Sequence, residues 1–424
     1  MNTITTAPAG GCCDDPHADS AIRLDEAVGR ILGEIAPVEG SETVALKDAL
    51  GRILDEDVAS RVDVPSHTNS AMDGYALAGA ALSADESVRL TVVGTSWAGR
   101  PLERAVGPGE CARIMTGAAM PDGTDTVVMQ ERVERDGDRA VFGTRERPGQ
   151  HVRQAGEDIA VGDVALTRGT LLRPAHLGLI ASVGVGAVQV RRRPRVAFFS
   201  TGDELKGIGT TLGKGEIYDS NRYTIHGMLA RLGLEPIDLG VVPDDRGAVE
   251  DAFRRAAAEG DAIVTSGGVS VGEADFVTET LERIGEVNFW KVAVKPGRPL
   301  AFGRVAGTLF FGLPGNPVSV MATFYQIVQP ALERLTGNAD VDPTLRVEAT
   351  CESELRKKPG RLEVQRGILR QEPDGGYTVR TTGLQGSGVL SSMGRANCFI
   401  ILPLEQGRVA AGDRVLVQPF RGLA

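Results

Sequence analysis

The sequence predicts a multidomain α/β plus β protein. It combines a doubly wound, mostly parallel α/β domain with an inserted β-rich domain, a small linking domain and a C-terminal β-barrel. Three observations carry this reading. The chain has 424 residues, more than one core usually organises, so two to four domains are expected. Between residues 195 and 337, short apolar runs alternate with stretches of helical period, the pattern of a parallel sheet with crossover helices. Residues 62–162 and 341–424 consist instead of short β-like pieces cut by glycine and proline turns.

The elements follow in chain order. "MNTITTAPAGGCCDDPHADS" has neither a basic start nor an apolar core, so it reads as a disordered tail and no signal peptide. Its Cys12, Cys13 and His17 fit no standard zinc spacing. "LDEAVGRILGEI", from Leu24 to Ile35, has helical period, and a shorter helical pattern runs from Leu46 to Leu50. "VRLTVVG", "ECARIM", "DTVVMQERV" and "RAVFG" are strands. "HLGLIASVGVGAVQV" returns to a helix and then a strand, and "RRRPR" at 191–195 reads as a solvated linker.

In the α/β region the strands are "RVAFFS", "PIDLGVV", "DAIVTS" and "TLFFG", with "VNFWKVAVKPGRP" as a strand and loop. The helices are "RYTIHGMLARLG", "GAVEDAFRRAAAEG", "VTETLERIG" and a run from Pro317 through Val328. Asn316 is a good N-cap for that last helix and Pro317 a good first residue. Free N–H groups at such a helix start, beyond the carboxyl end of a strand, can hold an anion. A tight turn without a ligand is the equal alternative.

Composition narrows the function. A formal net charge of -10 argues against a sequence-independent nucleic-acid binder, which needs a basic face. No apolar run reaches the length of a membrane span. Five cysteines are a sparse, odd set that fits a reducing cytosol; Cys111, Cys351 and Cys398 read as small buried hydrophobes. The histidines (His17, His67, His151, His176, His226) are scattered. No Ser-His-Asp set, HExxH or GxGxxG placed between strand and helix is present.

Unusual residues concentrate after strands, in "STGDEL", "PDD", "SGGVSVGEAD", "KPGRP" and "GLPGNPVS". Ligands bind at the carboxyl edge of open α/β sheets. Ser266, Gly267 and Gly268 offer a backbone nest for phosphate, and Ser266 and Ser270 add hydroxyls. Lys291, Lys295 and Arg298 bring positive charge; Glu204, Asp244, Glu273 and Asp275 bring carboxylates. Carboxylates beside phosphate call for a divalent cation, and oxygen ligands select Mg²⁺. Each residue alone has an ordinary structural use. Asp244 and Asp245 could cap a helix, Glu204 could sit in a first helical turn, and Lys291 could be a solvated edge charge. The polar stretches "PSHTNSAMDGYAL", "RIMTGAAMPDGTDTVVMQE" and "RQAGEDI" compete with simple turn chemistry.

Together, "NSAMDGYA", "IMTGAAMPDGTDTVVMQE", "GEDI", "STGDEL", "GEIYDSN", "SGGVSVGEADF", "KPGRPLAFG" and "GLPGNPVS" resemble the molybdopterin molybdenumtransferases (MoeA) and the E domain of gephyrin, from Leu24 to the end. The resemblance implies insertion of molybdate into adenylylated molybdopterin, with Mg²⁺ as cofactor and release of AMP, in a cytoplasmic homodimer. Its partner would be the molybdopterin adenylyltransferase, with no nucleic acid and no membrane. An adenylyltransferase-type nucleotide enzyme and a gephyrin-like scaffold are the competing functions. The implied domains are a tail (1–20), an N-terminal helix joining the α/β domain (21–41), a linking domain (42–61 and 162–192), an inserted β-rich domain (62–161), the α/β domain (193–340) and the barrel (341–424).

The resemblance also distributes roles. Asp244, Asp275, Glu204 and Lys291 would be catalytic, with Asp244 and Asp275 on the metal. Asp73, Thr116, Asp158, Pro314 and Pro317 would bind the pterin substrate, the first three from the other subunit; Ser266, Gly267, Gly268, Ser270, Gly315 and Asn316 are added to them on their loop chemistry alone. Lys295, Arg298, Ser319, Arg366 and Ser387 would bind molybdate. Arg298 stands where many members have lysine and offers a planar fork in its place.

Overall fold

A computed structural model describes residues 21–268, 276–339 and 344–420. It divides into two compact units, Met1–Gly40 with Arg191–Ala424, and Ser41–Val190.

The first unit holds a six-stranded sheet of β1 (Arg195–Thr201), β2 (Glu235–Val242), β3 (Ala262–Ser266), β4 (Gly285–Lys291), β5 (Pro299–Val305) and β6 (Thr308–Leu313), in the order β2-β1-β3-β6-β5-β4. β2, β1, β3 and β6 are mutually parallel, while β5 runs antiparallel to both its neighbours. Helices cover both faces, as the alternation of side chains along a strand requires. Val196, Phe198, Val264 and Phe311 pack under α1 (Leu24–Gly33) and α2 (Ser220–Arg231). Ala197, Phe199, Ile263 and Phe310 pack under α3 (Arg246–Glu259) and α4 (Phe276–Ile284). Phe253 of α3 meets Phe199 and Phe310 edge-on, with ring centroids 5.1 and 5.5 Å away.

Two local readings are amended here. The stretch after the segment read as a strand and loop, unassigned from the sequence, forms β5, and β5 turns back into β6 through Ala306 (φ 48) and Gly307 (φ 86). A two-residue hairpin of this hand needs positive φ at both positions, and "AG" carries only half of the usual signal. The helix expected through Val328 is broken into α5 (Pro317–Thr323), a π segment (Phe324–Val328) and α6 (Gln329–Leu335). Pro330 has no N–H to donate to the preceding turn, and the ladder widens just before it.

The C-terminal strands β7 (Val347–Cys351), β8 (Leu362–Gln371), β9 (Tyr377–Thr381), β10 (Cys398–Leu402) and β11 (Arg414–Pro419) close on themselves as β8-β9-β7-β11-β10-β8. Cys351 and Cys398 lie in this barrel's core. Burial pushes the Cys398 thiol up to about 12, and that of Cys111 likewise. The barrel packs on the α/β part: Val318 and Ala322 of α5 share a cluster with Val364, Phe399 and Ile401. Val294 and Lys295 run parallel to Leu362 and Glu363.

In Ser41–Val190, a six-stranded sheet encloses Tyr75, Leu90, Val128 and Phe142. A second cluster joins Leu54 and Val58 to Leu172, Ile180 and Val190. "RRRPR" is more than a solvated linker. Arg192 donates from both Nη atoms to the carboxylate of Asp261, each at 2.7 Å, a bidentate match that its planar fork favours. No described helix is long and apolar enough to cross a membrane.

Candidate functional site

The register sets the geometry. Ser200 pairs with Ser266, Ser266 with Leu313, and Thr201 with Val242. Four parallel strands therefore end at one level, and the loops after β1, β2, β3 and β6 share one edge. Crowding dictates glycine there. At Gly267 (φ +94) a Cβ would lie 2.8 Å from the Thr201 carbonyl oxygen; at Gly268 (φ +66) it would lie 2.4 Å from Val277 Cγ2. A Cβ on Gly315 would be 4.0 Å from the Gly267 Cα, so the loops after β3 and β6 meet through bare backbone.

Asn221, in the first turn of α2, ties these loops together. Its Nδ2 donates to Ser266 Oγ (2.8 Å) and to the Gly315 carbonyl (2.7 Å). Its Oδ1 is buried and unpartnered, as are Ser200 Oγ and Thr265 Oγ1. A buried acceptor without a donor is costly, and a ligand N–H or O–H would satisfy it.

The carboxylates sit at the β1 and β2 end. The Asp244 amide donates to Asp203 Oδ1 at 3.1 Å. Burial raises the Asp244 pKa above the usual carboxylate value, and the charges of Asp203 and Glu204 push it further. Asp245, not Asp244, caps α3 by accepting from the Ala248 amide at 2.9 Å. Glu204 follows β1 in a turn, outside any helix. Among the described residues, no three His, Cys, Asp or Glu side chains form a metal cluster by themselves. Ser270, Glu273 and Asp275 lie outside the described residues.

The expected cations divide. Lys291 ends β4, at the opposite side of the sheet from β2. Five strand spacings put it about 24 Å from Asp244, so the two do not form one catalytic group. Sheet order, which a sequence does not display, decides this. Lys291 lines a shallow groove of about 380 Å³ with Glu26, Arg30 and Trp290.

The oxyanion candidates are joined by a chain of contacts where α5 meets the barrel. A Cβ on Gly297 would come within 3.5 Å of the Ser319 carbonyl. The Val318 amide donates to the Ser387 carbonyl at 3.0 Å. Arg366 Nη2 donates to the neighbouring Gly386 carbonyl at 3.0 Å. Arg298, half-buried, lies just before β5 and accepts from the Val292 amide at 2.8 Å through its carbonyl.

Two roles shift with this geometry. Asn316 occupies the N-cap position of α5 but makes no side-chain cap, and the Val318 amide is taken by Ser387. Arg366 is 1% exposed. Its Nε donates to Ser392 Oγ (3.0 Å) and its Nη2 also to the Leu384 carbonyl (3.3 Å). Burial lowers its pKa to about 10. It braces the loop that carries Ser387. Pro314 follows β6 directly, and Pro317 starts α5 as expected.

In the Ser41–Val190 unit the three polar stretches converge. Asn69–Ser70 pairs with Val152–Arg153, and the Gly117 amide donates to the Ser70 carbonyl at 2.8 Å. Asp73 Oδ1 accepts from the Thr116 amide (2.7 Å) and hydroxyl (2.8 Å), which hold the Asp73 pKa below the usual value. Asp158 is exposed, its amide donating to the Val64 carbonyl at 3.0 Å. Sequence reasoning missed Asn221, Asp203 and Glu363 as individual residues. The first two stood in segments already singled out, "GEIYDSN" and "STGDEL".

Comparisons with known proteins cover the same regions. Family models match residues 22–184 as the MoeA N-terminal region (domain I and II), 197–334 as a probable molybdopterin binding domain, and 348–420 as the MoeA C-terminal region (domain IV). The molybdopterin molybdenumtransferase of Haemophilus influenzae is 43% identical over 403 residues, covering 95% of this chain and 99% of that one. Gephyrin of Dictyostelium discoideum is 33% identical over 92% of this chain and 61% of its own length. Among solved structures, the molybdopterin biosynthesis MoeA protein of Pyrococcus horikoshii aligns with a TM-score of 0.81 at 29% identity, over 94% of this chain and all of that one.

Proposed function

The chain belongs to the MoeA-type molybdopterin molybdenumtransferases, enzymes of molybdenum cofactor biosynthesis, and from that premise we propose that it takes adenylylated molybdopterin and molybdate, works with Mg²⁺, and releases AMP. One observation supports this most. The carboxylates Asp203, Glu204 and Asp244 share a sheet edge with a bare Gly267–Gly268–Gly315 backbone. Backbone of that kind receives phosphate.

The donor set suits Mg²⁺. It is all oxygen, and desolvation, with the charges of Asp203 and Glu204 added to it, raises the Asp244 pKa, a cost that a bound cation relieves. Mg²⁺ commonly takes one or two carboxylates and completes its shell with water and substrate phosphate, so Asp244, with Asp203 or Glu204, suffices on the protein side. Bound there, Mg²⁺ would offset charge on the phosphoanhydride. In this reading Asn221 Oδ1 accepts from the substrate, Lys295, Arg298 and Ser319 face the oxyanion, and Arg366 holds the Ser387 loop. The reading includes a cytoplasmic homodimer in which the Asp73 corner of each chain serves the substrate bound by the other, supplied by a molybdopterin adenylyltransferase.

The test is AMP release from adenylylated molybdopterin by the purified chain with Mg²⁺, with and without molybdate, beside Asp244→Asn. Molybdate-dependent release that falls about 10²-fold in the variant is expected. AMP-linked turnover of ATP without the adenylylated pterin would make it an adenylyltransferase, and no release from a folded protein would overturn the insertase reading.

A further inference from the structure

We propose that Glu363 is the displaceable counter-ion of the oxyanion site: it holds Lys295 while no oxyanion is bound and limits how tightly one binds. This rests on Lys295 being an oxyanion ligand, as read above.

Glu363 stands in β8 and is 7% exposed. A carboxylate so buried needs partners. Its Oε1 accepts from Lys295 Nζ at 3.3 Å and from Gln365 Nε2 at 3.0 Å. Two further cations feel its charge. Lys357 is buried and donates Nζ to the carbonyls of Gln406 (2.7 Å) and Leu404 (3.3 Å). Arg366 is buried nearby in β8. Burial lowers the pKa of both, and Glu363 opposes that shift in both. Glu363 thus serves three cations and Glu405 adds its charge at Lys357 alone, so positive charge is still in surplus, which an anion would balance.

Among the three, Lys295 is the one that can change partner. Arg366 and Lys357 are anchored on carbonyls, whereas the Lys295 side chain is 54% exposed. Its 3.3 Å contact is longer than the 2.7–2.9 Å of a tight charge-assisted bond. The backbone ladder pairing Val294 with Leu362 and Lys295 with Glu363 fixes the base of the side chain, so its ammonium can swing without the loop moving. An arriving oxyanion takes Lys295 from Glu363 and meets the repulsion of the carboxylate left behind. Binding strength is the difference between the two.

The experiment is calorimetric titration of molybdate into the full chain, as wild type, Glu363→Gln and Lys295→Ala. Glutamine keeps the shape and the bond from Gln365 but removes the charge. Glu363→Gln is expected to bind molybdate about tenfold tighter and Lys295→Ala at least about tenfold weaker. Unchanged or weaker binding by Glu363→Gln, with Lys295→Ala impaired, overturns the counter-ion role and leaves the oxyanion site standing. Unchanged binding by Lys295→Ala overturns both. Should Glu363→Gln not fold, Glu363→Asp, drawn back from Lys295 by one methylene, is expected to gain about threefold; no gain there overturns the proposal.

Discussion

Asp244 and Asp73 are both aspartates in polar loops of this enzyme, and the fold treats them in opposite ways. Asp73 accepts two hydrogen bonds from Thr116, and its pKa is lowered. Asp244 is exposed at its surface but partly desolvated and set beside Asp203 and Glu204, and its pKa is raised. The first carboxylate is complete within the chain; the second is held at a cost that a ligand or cation can remove. The glycines beside them repeat the contrast. Gly117 (φ +77) has nothing within 4 Å of a built Cβ, whereas Gly268 (φ +66) has Val277 Cγ2 at 2.4 Å. One corner is a braced turn with open space around its glycine; at the other, neighbouring segments pack so closely that only glycine fits.

The largest effect is expected from the glycines. Gly268→Ala should lower AMP release by at least about 10²-fold, because both the clash and the positive φ displace the backbone offered to phosphate. Gly117→Ala, facing only the strained φ, should cost about 1 kcal/mol of stability and leave turnover within about threefold. Equal losses at the two positions would erase the distinction between the corners.

Stability against pH separates the aspartates next. The folded pKa of Asp244 is raised, so its contribution is favourable below the unfolded value of 3.8 and is lost as pH rises through the folded value. Asp244→Asn should therefore raise the melting temperature at pH 7 and leave it unchanged well below pH 3.8. Asp73, with its lowered pKa, stabilises above 3.8 and loses that effect as pH falls through the folded value. Asp73→Asn should lower the melting temperature at pH 7, and the gap should close in acid. Mg²⁺ sharpens the contrast: it should raise the melting temperature of wild type and of Asp73→Asn, but not of Asp244→Asn.

Much of this was legible in the sequence because each edge loop needs a glycine, a proline or a carboxylate directly after a strand. The alternation of strand and helix from Arg195 onward likewise has one economical solution. The rest depends on pairing at a distance. Lys291 ends β4 and Asp244 follows β2, charged residues at strand ends alike in sequence but on opposite sides of the sheet. Asn316 looks like a cap, but the Val318 amide is met by Ser387, which lies in a different domain of the same unit. Arg366 reads as an anion ligand until its burial shows that carbonyls and Ser392 take its donors. Glu363 carries no local mark, and Asn221 only that of its segment, since a polar residue on a helix or strand shows its partners only once the chain is folded.

The smallest expected effect tests whether the Asp73 corner is as complete as it looks. Thr116 gives Asp73 two donors, an amide and a hydroxyl. Thr116→Val removes only the hydroxyl and keeps the β-branched shape. The amide bond does most to lower the Asp73 pKa, and the hydroxyl adds to it. The variant should thus keep an Asp73 pKa below the usual carboxylate value, read by NMR titration of the Asp73 carboxyl, with a melting temperature close to wild type at pH 7. Return of the Asp73 pKa to the unperturbed 3.8 would mean that the hydroxyl positions the whole turn, including the Thr116 amide. Asp73 would then rely on one side chain, as Asp244 relies on what binds beside it, and the difference between the two corners would be one of degree.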